Sequence, residues 1–158
     1  MRVLEIKDED CINFKEISMF VATPFCSGKC YKELGLDSSI CQNDKLRNSP
    51  IVEMDNQVII KRYLQNPLTK AIVLGGLEPL DSFAELTQFL KEFRKNCDDT
   101  IVIYTGYKEN EIEDKISLLK QIGNVILKVG RYIPNQKNIF DQNLGVYLAS
   151  NNQYSIKL

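Results

Sequence analysis

The sequence predicts a single α/β domain, spanning residues 1–158, with a mainly parallel sheet. Four short apolar runs are rich in β-branched residues and show little alternation of polar and apolar side chains, which is typical of parallel strands buried on both faces. These runs lie at residues 18–23, 71–74, 100–105 and 125–129, and a fifth candidate strand lies at 146–149. Longer segments with helical periodicity separate them, and strands that alternate with helices are the mark of this fold class.

Three amphipathic segments supply the expected helices between the strands. Residues 56–65 form the first candidate helix. Ser82-x-x-Glu85 is a capping-box pattern, and Asn110-x-x-Glu113 opens a further helix; apolar residues follow both at helical spacing. The predicted order is strand, loop, helix, strand, helix, strand, helix and two final strands. With 44 % apolar residues, the chain can bury one core of its own.

Charge and composition exclude several classes of function. Twenty Lys and Arg residues balance 21 Asp and Glu residues, so the sequence lacks the basic excess of a typical nucleic-acid-binding protein. No apolar run approaches the roughly 20 residues of a membrane-spanning helix, and the charged start of the chain does not resemble a signal peptide. We therefore expect a cytoplasmic protein that binds neither nucleic acid nor membrane. The chain contains no histidine, which excludes histidine-based catalysis and zinc sites of mixed Cys/His type.

The five cysteines are the remaining candidates for chemistry. An odd number of cysteines without an export signal argues against a disulfide framework and favours a reducing compartment. Cys26, Cys30 and Cys41 lie within sixteen residues of one another. In such chains, clustered cysteines more often bind metals or carry redox chemistry than fill a core. Cys11 and Cys97 lie away from this group, and we interpret them as ordinary cysteines.

Two kinds of metal site fit the three clustered thiols. Three thiolates on one loop can bind three irons of a [4Fe–4S] cluster and leave the fourth iron open, as catalytic sites do. Zinc prefers four ligands, so a carboxylate such as Asp37 or Asp44 would have to complete a zinc site. The remaining alternative is that the three thiols share no role.

Glycine and polar residues collect at one end of the predicted sheet. In parallel α/β sheets, ligands bind at the carboxyl ends of the strands. The segment that follows the first strand carries the three clustered cysteines. The segments after the other strands are 75–79 (GGLEP), 104–107 (YTGY), 130–132 (GRY) and 150–153 (SNNQ). The sequence therefore predicts a ligand site at this end of the sheet, beside the clustered cysteines.

In this order, these segments resemble the motifs of the small radical S-adenosylmethionine (SAM) proteins that activate anaerobic ribonucleotide reductase. The likeness runs from about residue 20 to residue 153, and it includes the cysteine segment, GGLEP, YTGY, a late GRYIP and the final SNNQ. Two features depart from the family's pattern. The family has CxxxCxxC, whereas ten residues separate Cys30 from Cys41 in this chain. Leu77 adds one residue to the family's Gly-Gly-Glu-Pro motif.

The resemblance implies a partial (β/α) barrel and a radical SAM oxidoreductase of the glycyl-radical-activating type. Cys26, Cys30 and Cys41 would bind a [4Fe–4S] cluster, whose open iron would bind SAM, and no other catalytic residue is expected. The residues that would contact SAM are Gly75, Gly76, Glu78, Tyr104, Thr105, Arg131 and Ser150. Reductive cleavage of SAM would yield a 5′-deoxyadenosyl radical. The implied partners are the large subunit of anaerobic ribonucleotide reductase, which would receive a glycyl radical, and an electron donor such as flavodoxin or ferredoxin.

Each assignment has a structural alternative. Gly75, Gly76 and Glu78 could form a strand-to-helix turn with a solvated Glu78. Arg131 could be a surface arginine, and Ser150 could begin a hairpin turn. At the level of function, the alternatives are a radical SAM enzyme with a different substrate and a non-catalytic module with a structural metal.

Overall fold

A six-stranded sheet forms the centre of the computed structural model, which describes all residues from 1 to 158. The chain contains ten strands: β1 (Arg2–Val3), β2 (Glu5–Asp10), β3 (Ser18–Thr23), β4 (Val52–Glu53), β5 (Ala71–Gly76), β6 (Thr100–Tyr104), β7 (Val125–Val129), β8 (Ile139–Asp141), β9 (Val146–Leu148) and β10 (Tyr154–Lys157). Its α-helices are α1 (Lys29–Lys32), α2 (Asp44–Arg47), α3 (Asn56–Gln65), α4 (Phe83–Arg94) and α5 (Glu113–Ile122). None of these helices has both the length and the apolar character needed to span a membrane.

The four central strands confirm the predicted parallel core. The strand order across the sheet is β10-β7-β6-β5-β3-β2. Within it, β3 pairs with β5, β5 with β6 and β6 with β7, all in parallel. Helices α3, α4 and α5 lie in the three connections between these strands. Antiparallel strands occupy both edges, with β2 beside β3 and β10 beside β7.

Alternate residues of the central strands pack on opposite faces of the sheet. Ile72 and Leu74 of β5 belong to a core of 22 buried residues, to which α3, α4 and α5 also contribute. Ala71 and Val73 of the same strand belong to a smaller second core, which residues of the β8–β9 hairpin help to complete. Because side chains cover both faces, the central strands are apolar throughout, and this explains the weak alternation in their sequences.

The last predicted strand, at residues 146–149, lies outside the central sheet. It forms β9, which pairs with β8 in a separate antiparallel hairpin. Leu148 is the only buried residue of β9, and Tyr147 is exposed. The strand therefore covers the second core with one side chain and lacks the two apolar faces of a central strand. The edge position beside β7 belongs instead to β10.

The start of α4 differs from the predicted capping box. Ser82 makes no side-chain hydrogen bond to the helix, and a 3-10 turn over Pro79–Ser82 precedes it. Glu85 instead forms an ion pair with Arg2, in which Arg2 Nη2 lies 3.1 Å from Glu85 Oε2. The Glu85 carboxylate is thus engaged with the start of the chain and does not reach back to cap its own helix.

Candidate metal centre and adjoining cavity

The three clustered cysteines lie on one irregular segment, residues 24–47, which we call the cysteine loop. It leaves the carboxyl end of β3, and Cys30 lies within the short helix α1. Cys41 follows a 3-10 turn over Ser38–Ile40 and precedes α2. None of the residues in these three helical elements is buried. The cysteine loop therefore has little hydrophobic packing of its own.

Polar contacts attach both ends of the cysteine loop to the sheet. The amide of Ser27, next to the first cysteine, donates a hydrogen bond to Asp81 Oδ2 at 2.5 Å. The side-chain amide of Asn43, two residues after the third cysteine, donates to the carbonyl of Gly76 at 2.5 Å. Both acceptors lie at or just after the carboxyl end of β5. The loop is thus held over the end of the sheet where a ligand site is expected.

Arg131 attaches the middle of the cysteine loop. Its side chain is 5 % exposed, so it is not the surface arginine of the structural alternative. The guanidinium donates to both carboxylate oxygens of Glu33, which follows α1, at 2.7 and 3.1 Å. It also lies 2.7 Å from Glu111 Oε1 and donates to the carbonyl of Gly106. This bidentate, charge-assisted contact fixes α1 against the end of β6.

The thiols of Cys26 and Cys30 are half-buried, and burial is the main cause that raises the pKa of each. The Gly28 amide donates to Cys26 Sγ at 3.3 Å, which opposes the rise for that thiol. Cys30 lies against Gly106, because a Cβ atom added at position 106 would be only 3.1 Å from Cys30 Sγ. Glycine at that position therefore lets the sulfur approach the end of β6.

A cavity of about 370 Å³ opens at the carboxyl ends of the parallel strands. Its volume is within the range of roughly 300–1,000 Å³ that is typical of small-molecule sites. All three cysteines of the loop line it. Five of the seven residues predicted to contact SAM line it as well: Gly75, Gly76, Glu78, Tyr104 and Thr105. The structure therefore brings the thiols together with the segments that follow β5 and β6.

The side chains near the cavity bear on both kinds of metal site that the sequence predicts, an iron–sulfur cluster and a zinc site. All five cysteines are free thiols, and Cys11 and Cys97 do not line the cavity. No three Cys, Asp or Glu side chains converge closely enough to hold one metal ion. The carboxylates considered for zinc, Asp37 and Asp44, do not line the cavity, and Asp37 accepts a hydrogen bond from the amide two residues later at 2.9 Å. In a [4Fe–4S] cluster each thiolate binds a different iron, so the ligands need not converge on one atom, and the three thiols share one cavity.

Glu78 lines the cavity and is 5 % exposed, in contrast to the solvated Glu78 of the structural alternative. Its Oε1 accepts hydrogen bonds from the Thr105 hydroxyl at 2.7 Å and from the Leu80 amide at 3.1 Å. Its Oε2 accepts from the Gly106 amide at 2.8 Å. Burial raises the pKa of Glu78 to about 7, although these three donors oppose the rise. The carboxyl group thus joins the end of β5 to the end of β6 beside the thiols.

The packing of β5 against β3 bears on why glycine occupies positions 75 and 76. Gly76 has a φ of 84°, which favours glycine, and a Cβ atom there would lie 2.8 Å from Ala22 Cα. A Cβ atom at position 75 would lie 2.9 Å from the ring of Phe20. Close packing of β5 against β3 therefore requires Gly76, whereas a side chain at position 75 would need the Phe20 ring to shift.

Arg131 and Ser150 are the two predicted SAM contacts that do not line this cavity. Ser150 is fully buried. Its amide donates to the side-chain oxygen of Gln153 at 3.2 Å, and its hydroxyl lies 3.4 Å from the carbonyl oxygen of Arg131. Ser150 thus supports the segments after β7 and β9, and its contact with SAM stays a prediction.

Lys128 is a cavity residue that the sequence analysis did not single out. It is the only charged residue of β7, it is buried, and its Nζ donates to the carbonyl of Gly130 at 3.1 Å. Burial lowers the pKa of Lys128 to about 8, whereas Glu78 and Cys30 act in the opposite direction. The sequence could have indicated this residue, since it is a lysine inside an otherwise apolar strand and a charge is rarely buried without a partner or a function.

Comparison with known proteins gives one match. No curated protein and no solved structure matches the chain. The family described as a 4Fe-4S single cluster domain matches residues 17–154. This span includes the whole cysteine loop and all four central strands. Because the match covers most of the chain, the protein belongs to the 4Fe-4S single cluster domain family.

Proposed function

We propose that the chain is a radical SAM enzyme that generates a glycyl radical on a partner enzyme, with the large subunit of anaerobic ribonucleotide reductase as the favoured partner. One observation carries the proposal: three thiols and most residues of the GGLEP and YTGY segments line the same cavity at the carboxyl ends of parallel strands. Membership of a 4Fe-4S family supports the cluster. The resemblance of the ordered motifs to radical SAM activating proteins supports SAM as the second cofactor.

The connectivity of the sheet supports a partial (β/α) barrel. In the parallel group β3-β5-β6-β7, strands that follow one another along this part of the chain are also neighbours in space. Helix α3 packs beside α4, and α4 packs beside α5. A doubly wound sheet would instead reverse its strand order at a switch point. In (β/α) barrels, ligands bind at the carboxyl ends of the strands, which is where this cavity lies.

The cluster and SAM would together supply the radical chemistry, in which one electron from a donor such as flavodoxin or ferredoxin would cleave SAM reductively and the target glycine would lose a hydrogen atom. The chain supplies ligands, orientation and exclusion of water. Cys26, Cys30 and Cys41 would bind three irons and leave one open to a further ligand.

Two buried groups of opposite charge suit the amino-acid end of SAM. The ammonium of Lys128 is a partner for a carboxylate, and the carboxyl group of Glu78 is a partner for an ammonium. Glu78 accepts three hydrogen bonds within the protein, whereas a carboxylate offers about four acceptor positions. Tyr104 forms part of the cavity wall, and its hydroxyl is held by donation to the carbonyl of Asn13 at 2.6 Å.

Anaerobic reconstitution with iron and sulfide tests the proposal. We expect about four irons per chain and a reduced-cluster electron paramagnetic resonance signal that changes when SAM is added. Reduction with SAM present should also release 5′-deoxyadenosine, detected by mass spectrometry, and Cys41→Ala should release none. If the cluster assembles but its signal does not change with SAM and no 5′-deoxyadenosine is released, the assignment as a radical SAM enzyme is contradicted.

Addition of an anaerobic ribonucleotide reductase tests the partner. The expected result is a glycyl radical signal that requires both SAM and the reduced cluster. Cleavage of SAM without a glycyl radical would indicate a radical SAM enzyme with another substrate. Stoichiometric zinc in place of iron would indicate a non-catalytic module.

A further inference from the structure

Arg47, the last residue of α2, has unpaired donors next to the cysteines. Its Nε and Nη2 atoms are buried and have no hydrogen-bond partner. A guanidinium group presents five N–H donors and is always charged in proteins. Buried donors without acceptors are unfavourable by about 1–3 kcal/mol each, and more for charged groups. Unpaired donors of this kind indicate an acceptor that the protein chain itself does not provide.

The oxygen atoms near Arg47 do not satisfy these donors. The guanidinium lies over the ring of Tyr31, 5.5 Å from its centroid, and Nη1 is 3.5 Å from the Tyr31 hydroxyl. The closest carboxylate contact is Asp44 Oδ1, at 3.8 Å from Nε, which is too long for a hydrogen bond. The single N–H of Nε and the two N–H groups of Nη2 therefore have no oxygen acceptor.

Two of the predicted cluster ligands lie beside this guanidinium. Burial lowers the pKa of Arg47, whereas Tyr31, Cys41 and Cys26 raise it, and the net shift is upward. Arg47 follows Cys41 by six residues, and its neighbour Leu46 lines the cavity that holds all three thiols. The guanidinium is thus a partly buried cation near Cys41, with its Nε and Nη2 atoms shielded from solvent.

We propose that Arg47 donates hydrogen bonds to the sulfur atoms of the bound cluster at the Cys41 side and raises the reduction potential of that cluster. The proposal rests on the iron–sulfur cluster of the proposed function. A cluster with thiolate ligands carries negative charge, and reduction adds one more. A partly buried cation that donates hydrogen bonds to sulfur stabilises the reduced form more than the oxidised form, and such bonds are among the factors that set cluster potentials.

A redox titration followed by electron paramagnetic resonance tests this role. We compare the reconstituted chain with Arg47→Gln, Arg47→Lys and Lys45→Gln. Arg47→Gln should shift the reduction equilibrium at least tenfold toward the oxidised cluster, which is 59 mV for a one-electron couple. Arg47→Lys should give a smaller shift in the same direction, because lysine keeps the charge but lacks the planar fork of donors. Lys45→Gln should leave the potential unchanged, since this lysine is exposed on the same helix and solvent screens its charge.

Each other result has a definite meaning. If Arg47→Gln assembles a cluster with the potential of the unmodified chain, the inference about Arg47 is overturned and the cluster assignment stands. If the unmodified chain binds no iron and sulfide, both the proposed function and this inference fail. If Arg47→Gln cannot retain the cluster, Arg47→Lys decides: a potential below that of the unmodified chain supports the role, and an equal potential overturns it.

Discussion

The parallel sheet and the cysteine loop are stabilised in different ways. Every residue of β5 and β7 is buried, and backbone hydrogen bonds join these strands to neighbours on both sides. The helical elements of the cysteine loop contain no buried residue, and the loop is attached through the polar side chains of Asp81, Asn43 and Arg131. Apolar burial is spread over many residues, whereas these polar contacts are few and directional. Single substitutions should therefore affect metal binding by the loop more than the folding of the sheet.

The largest expected effect is the loss of the cluster in Cys41→Ala. The variant should bind little iron and sulfide after anaerobic reconstitution, because it lacks one of the three predicted ligands. Its circular dichroism should be unchanged, since Cys41 lies outside both cores. Cys97→Ala is the matched control, because Cys97 does not line the cavity, and it should bind as much iron as the unmodified chain. Full iron content in Cys41→Ala would exclude Cys41 as a ligand.

Arg131→Ala should weaken the attachment of the loop. Arg131 is 5 % exposed and binds two carboxylates, so we expect a loss of about 2 kcal/mol in the free energy of unfolding, measured in urea. Arg62→Ala is the control, because its ion pair with Asp8 is 43 % exposed on the arginine side, and such pairs contribute about 0–1 kcal/mol. Equal losses in the two variants would show that the buried network does not stabilise the loop.

Glu78 should make the stability of the metal-free protein depend on pH. Its pKa is about 7 in the folded protein and 4.5 ordinarily. Between these pH values the folded state therefore binds more protons than the unfolded state. The stabilisation from the protonated carboxyl is complete below the ordinary pKa and is lost as the pH rises through about 7. Between about pH 5 and pH 8, the free energy of unfolding of the unmodified protein should fall by about 1–3 kcal/mol more than that of Glu78→Gln. A difference between the two proteins that does not change with pH would contradict the raised pKa.

The smallest effect concerns cleavage of the loop by trypsin. Lys32 and Lys45 are exposed on the cysteine loop, and metal binding should stabilise the segment around its ligands. We expect cleavage after these lysines to slow severalfold when the cluster is present, as followed by mass spectrometry. Cleavage at Lys61, on the exposed side of α3, should keep the same rate and serves as the internal control. Equal rates at Lys32 with and without the cluster would show that the loop does not need the metal for its order.

The parallel core could be predicted from sequence because its signal is local. The strands at 18–23 and 125–129 and the helix at 56–65 have the predicted bounds, since each is short, strongly patterned and bounded by turn residues. The edge strand β2 was missed because its sequence, EIKDED, has almost no apolar residue. Its strand conformation comes from pairing with β3, which no local pattern shows.

The candidate site was predictable only in part. The three cysteines and the glycine-rich segments are visible as motifs, and the rule of ligand binding at strand ends brings them together. The network of Arg131 was not visible, because its partner Glu33 is 98 residues away in the chain. The burial of Glu78 depends on Thr105 and Gly106 at the end of a neighbouring strand. Contacts of this kind exist only after the sheet has formed.

The two edge strands determine how another protein can approach. An exposed sheet edge invites an extended segment of a partner to add as a further strand, and charged or very short edge strands disfavour this. Five of the six residues of β2 are charged, and β10 has only four residues. Neither edge is suited to strand addition. Under the proposed function, a partner polypeptide would therefore have to bring its glycine to the cavity over the strand ends, on a segment that can leave its own fold.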